Sequence, residues 1–138
     1  MDIPAVESAT DPISSVTDLG QRWRALMGPL GFGQRLLRFV FVGPDRCFVK
    51  ILSDVPVGSK PDARLADELL AELGAFLRQQ EAGTTVAFLL TRPGGGPVSN
   101  ADRRWAKLLH DSAERSDVPI EPFFRAHDES LVLVEPAA

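Results

Sequence analysis

The sequence predicts a single domain of the α/β (α+β) class, a mixed β-sheet with flanking helices in the order α-β-β-α-β-α-β-β. Three stretches carry that expectation. Val86 to Leu90 has no polar side chain, as in a central strand covered on both faces. Leu65, Leu69, Leu73, Phe76 and Leu77 keep the spacing of an amphipathic helix. Arg35-Leu-Leu-Arg-Phe-Val-Phe-Val42 is rich in the β-branched and aromatic residues that fit a pleated surface.

Taken in order, residues 1–16 mix proline, serine and small residues without a period and read as a flexible N-terminal arm; residues 17–138 form the domain. Thr17 or Asp18 caps a short helix on which Leu19, Trp23, Leu26 and Met27 make an apolar stripe, ended by Gly28-Pro29. That stripe either packs on its own domain or docks on another subunit. The run from Arg35 to Val42 and the run Cys47-Phe-Val-Lys-Ile-Leu52 flank a Gly-Pro-Asp turn and form an antiparallel hairpin. Pro56, Gly58 and Pro61 mark a loop, Asp62 caps the second helix, and Gly83 ends it before the strand Thr84–Leu90. Pro93 to Pro97 is a loop. Ser99 and Asp102 then stand at N-cap and N3 of a helix from Asn100 to about Ser116, with Ala101, Trp105, Leu108, Leu109 and Ser112 on one side. Val118 to Phe124 and Leu131 to Val134 are two further strands, joined by the polar stretch Arg125 to Ser130.

At 138 residues and 44% hydrophobic content the chain holds one core. A net charge of −4 spread along the chain gives no field that would gather nucleic acid or anionic lipid. The lone Cys47 cannot form an intrachain disulfide. No leader-like segment opens the sequence, and no apolar run approaches the ~18 residues of a spanning helix. The expectation is a soluble cytoplasmic protein.

Metal chemistry needs three or four converging ligands, and the chain has two histidines and one cysteine. His110 lies two turns beyond Asp102, roughly 12 Å along the helix at 1.5 Å per residue, so the pair cannot share an ion. His127 reads as a surface residue in a turn. Cys47 reads as a small hydrophobe, and no GxSxG elbow surrounds any serine. Glu68 and Glu72 are solvated helix charges. Gly94-Gly-Gly96 before a helix start could hold a phosphate or nucleotide, with Arg92, Gly95, Gly96 and Ser99 as the site and Arg103 assisting. No Walker or GxGxxG pattern accompanies it.

The strand, the segment L-T-R-P-G-G-G-P-V-S-N-A-D from Leu90 to Asp102, the helix behind it and Val118-Pro-Ile120 together resemble the JAB/MPN metalloprotease family. Its bacterial RadC-like branch is the nearest in pattern, within the cytidine-deaminase-like group of folds. The resemblance spans roughly residues 36–134. In that family H-x-H-P-x-G followed by S-x-x-D supplies two histidines and an aspartate to zinc, and a glutamate from the preceding hairpin is the general base. Here Leu90 and Arg92 stand at the histidine positions, Pro93, Ser99 and Asp102 match, and the hairpin lacks glutamate. The resemblance therefore implies a domain of this type without its catalysis: no catalytic residue, no metal and no cofactor. Expected instead is a protein-interaction or dimerisation module, a homodimer with Trp23, Leu26 and Trp105 at the interface. The alternative is the anion site at the Gly94–Ser99 loop.

Overall fold

The computed structural model describes residues 3–49 and 52–136, and the elements follow the expected order. They are α1 (Val16–Met27), β1 (Leu36–Val42), β2 (Ser53–Pro56), α2 (Ala63–Leu77), β3 (Thr85–Thr91), α3 (Asn100–Ser116), β4 (Phe124–Ala126) and β5 (Leu131–Leu133). The strands form one mixed sheet in the order β2-β1-β3-β4-β5. β1 runs antiparallel to both β2 and β3, β3 is parallel to β4, and β5 returns antiparallel to β4. A helix crosses between the parallel pair, since α3 connects β3 to β4, as a parallel connection requires.

Two cores form because a strand sends alternate side chains to opposite faces. Along β3, Val86, Phe88 and Leu90 join Leu70, Leu73, Trp105 and Leu109 of α2 and α3. Ala87 and Leu89 face the other way, into a cluster with Leu19 and Trp23 of α1, Val40, Val42 and Phe48. The unbroken apolar run of β3 is thus the middle of a three-layer stack. No helix of the described residues is long and apolar enough to cross a membrane.

Several local expectations are corrected. The α1 cap is Ser15, whose side chain accepts the Asp18 N–H, and not Thr17 or Asp18; Asp18 instead accepts from Ser14. Among the described residues Phe48 makes a bridge to Val42, and the ladder of β1 with β2 runs from Ser53 to Pro56, a proline the sequence places in a loop. Lys50 and Ile51 of the expected strand lie outside the described residues. The strand expected at Val118 to Phe124 is a bridge at Ile120 followed by β4, because Pro119 and Pro122 have no N–H to give a ladder.

Within the expected arm, Val6–Thr10 forms a 3-10 turn, and Ala9 and Ile13 are buried; Met1 and Asp2 lie outside the described residues. Arg46 holds this segment in place. Its backbone accepts the Ile13 N–H at 2.8 Å, while its guanidinium makes a two-point pair with Glu121 at 2.9 and 2.8 Å. Thr85 adds a third bond to the same carboxylate. The Arg46 guanidinium holds the Glu121 carboxyl below the ordinary range, against the opposing effect of burial.

Candidate functional site

The chemistry-bearing residues collect at one end of the sheet, where β3 and β4 both finish and where α/β sheets usually present ligands. Arg92 follows β3, Arg125 lies within β4, and His127 follows it. Arg35 precedes β1 and reaches the same end because Leu36 pairs with Thr91. Asp102 arrives from the first turn of α3, whose Ser99 and Asp102 complete a reciprocal capping box. The cap therefore does two things. It satisfies the helix start, and it fixes a carboxylate among the arginines.

Arg92 donates to Asp102 through Nε at 3.1 Å and Nη2 at 3.0 Å, and the Ser99 N–H donates to the same carboxylate at 3.0 Å. Asp102 is fully buried and Arg92 nearly so. Burial alone would raise the Asp102 carboxyl, but the Arg92 guanidinium, the Ser99 N–H and the charge of Arg125 outweigh it and hold the group below the usual carboxylate range. Arg125 is also buried. It reaches Ser130 Oγ at 3.1 Å and the Gly96 carbonyl at 3.5 Å, and its Nε has no partner. Desolvation pushes the Arg125 and Arg35 guanidiniums down from their ordinary values, and the Arg92 charge adds to the shift in both. The Asp102 charge acts on all three guanidiniums, by direct bonds to Arg92 and through space to Arg35 and Arg125, and Glu129 acts on Arg125 as well.

His127 lies in the interior, correcting the expected surface position. Its Nδ1 accepts the N–H groups of Glu129 and Ser130, each at 3.2 Å, which leaves the proton on Nε2 to donate to the Gly96 carbonyl at 2.6 Å. The ring staples the Pro93–Pro97 loop to the turn after β4. It is the residue that the sequence hides most completely, since a histidine in a polar stretch gives no sign of burial.

The glycine loop is already supplied with anions. Gly94 N–H donates to Asp128 at 2.9 Å, Gly96 N–H to Glu129 at 2.6 Å, and Ser99 N–H to Asp102. Arg92 is engaged by Asp102, and Arg103 bonds the Val98 carbonyl. Of the residues expected to hold a phosphate, Arg92, Gly96 and Ser99 thus already have internal carboxylate partners, and Gly95 lies directly beneath the Glu129 side chain. A Cβ at Gly95 would overlap that carboxylate. Gly95→Ala is expected to displace Glu129, cost about 1 kcal/mol for the lost Gly96 bond, and speed amide exchange at Gly96 in a hydrogen-exchange experiment.

The residues do not suit a metal at the position the family resemblance implies. Leu90 has no ligating atom and is buried, Arg92 is a cation, and both Asp102 oxygens accept hydrogen bonds. Elsewhere, His110 lies 3.5 Å from Asp111 and 3.6 Å from Glu114 on the solvent side of α3, where Lys107 also pairs with Asp111. The Lys107–Asp111 contact is an i,i+4 charge pair on the helix surface. Burial pushes the Cys47 thiol up, and the Asp45 carboxylate beside it pushes it further, which opposes thiolate chemistry.

Of the expected interface residues, both tryptophans are enclosed within the chain's own cores. Trp23 and Trp105 have 0% exposure, one in each core, and Leu26 packs partly buried beside Trp23's cluster. The two tryptophans fill the spaces on opposite faces of the sheet. Comparison with protein families, with characterised proteins and with solved structures gave no match to this chain.

Proposed function

We propose that the chain is a non-catalytic JAB/MPN-like domain that works through protein contacts and associates with itself. One observation carries this reading. At the positions that bear ligands in the resembled family, an arginine and the aspartate neutralise each other in a buried two-point pair. The strand-loop-helix frame is kept, while the groups that would do chemistry are spent on holding it together. A frame of this kind offers surface, not reactivity, and the exposed apolar residues Val16, Phe76 and Leu133 lie outside the polar cluster.

The full-length chain, 15.0 kDa as a monomer, is expected to show a rising mean mass in sedimentation equilibrium as concentration increases. A monomeric mass at every concentration overturns the self-association. Inorganic phosphate is expected to leave the melting temperature where chloride of equal ionic strength leaves it, because the loop donors are occupied. A phosphate-specific rise would instead favour anion binding at the Gly94–Ser99 loop.

A further inference from the structure

Resting on the reading that this domain works through protein contacts, we propose that a groove along α3 receives a short basic and apolar segment of a partner protein. Two clefts make the groove. One, of about 270 Å³, lies between Ala106, Leu109 and His110 of α3 and the segments 120–123 and 133–136. The other, of about 630 Å³, continues along the end of α3 to Asp117, facing residues 118–120. His110 and Ile120 border both, so the two clefts adjoin. From Ala106 to Asp117 the chain rises roughly 16 Å at 1.5 Å per residue, the span of about five extended residues.

The charge of the lining selects the occupant. Glu114, Asp117, Glu121 and Glu135 line the groove, and no lysine or arginine among the described residues does. Glu121 is already neutralised by Arg46, whereas Asp117 and Glu135 enter no ion pair among the described residues. Where the clefts adjoin, ligating atoms of His110, Asp111 and Glu114 lie within 4.8 Å of one another. Lys107 shows what such a cluster attracts, since its ammonium lies 3.2 Å from Asp111. The clefts on the α1 side, by contrast, include Arg24 and Arg46 in their linings.

The floor is apolar. Phe88, Leu109, Phe123 and Val134 are buried behind the smaller cleft, and Leu133, 37% exposed, walls it. A leucine or phenylalanine of the partner entering there removes apolar surface from water on both sides. Basic residues flanking it reach Glu135 in the smaller cleft and Glu114 and Asp117 in the larger one. Apolar contact then holds the segment, and the carboxylates select its sign and register. A second copy of this chain, with a net charge of −4, is a poor occupant of an acidic groove.

Random peptides displayed on phage and selected against the full chain, in buffer containing EDTA, test the proposal. Enriched peptides are expected to carry lysine or arginine on both sides of a large apolar residue. Once synthesised, they are expected to bind less tightly as salt rises in a fluorescence titration. Glu114→Lys and Glu135→Lys are each expected to weaken that binding about five-fold, and Leu133→Ser by a similar factor. Glu72→Lys changes the net charge equally but lies on α2 outside both clefts, and is expected to change nothing. Circular dichroism melts check that the variants fold; if Leu133→Ser does not, the two exposed glutamate variants still decide. Enriched peptides without basic residues overturn the proposal, as does binding that the groove variants leave unchanged or that Glu72→Lys weakens equally. Such binding leaves a protein-contact domain standing and moves the contact elsewhere. A selection that yields no binder removes the groove, and wild-type self-association in sedimentation equilibrium then decides the wider reading separately.

Discussion

Asp102→Ala is expected to lower folding stability by about 3–5 kcal/mol in urea denaturation, the loss associated with removing one partner of a buried ion pair. The carboxylate is the common counter-charge for Arg92, Arg125 and Arg35, and it also accepts the Ser99 N–H. Deleting Arg92 along with it, as Arg92→Met with Asp102→Leu, is expected to recover only part of the loss, because Arg125 and Arg35 remain desolvated. The folded-state Asp102 carboxyl lies below its unfolded value, so the stability it contributes is present above the unfolded pKa of about 3.9 and is lost as pH falls through the folded value. The stability gap between wild type and Asp102→Asn is accordingly expected to be full at pH 7 and to shrink below about pH 4.

Trp23→Ala is expected to cost about 3–5 kcal/mol through the cavity it leaves. The indole is fully enclosed, meets Phe48 edge-on at 5.1 Å between ring centroids, and lies among Leu19, Val40 and Leu89. Trp23→Phe is expected to lose less. It keeps most of the packing and removes an Nε1–H that has no hydrogen-bond partner. Neither change is expected to alter self-association, which separates a core tryptophan from an interface tryptophan by one sedimentation experiment on each variant.

Both results bear on how much of this protein can be read without its fold. Element order was legible because periodicity is a local property: Val86 to Leu90 announces a strand covered on both faces, and Leu65 to Leu77 a helix with one apolar side. Strand ends were less legible. Phe48 and Ile120 have strand-forming neighbours, yet among the described residues each makes a bridge, since the extent of a ladder depends on the partner strand and on where Pro119 and Pro122 interrupt it.

The site divides in the same way. Ser99-x-x-Asp102 could be recognised as a capping box from spacing alone, because its two bonds join residues three apart. That Asp102 also neutralises Arg92 is a contact across ten residues, set by the angle at which α3 leaves the loop. Leu131-Val-Leu-Val134 advertised a strand but not that it lies at an edge. Arg125 and His127 were the least readable. Both belong to a stretch that looks polar and exposed, and both are buried because β4 is parallel to β3 and carries them under the glycine loop, where Gly96, Ser130 and Asp102 await them. By itself the sequence determined the order of strands and helices and the absence of a metal-ligand set at Leu90 and Arg92. Only the tertiary structure decided which of the remaining polar groups pair, because burial and pairing are set by which chain segments meet, and no local pattern encodes that meeting.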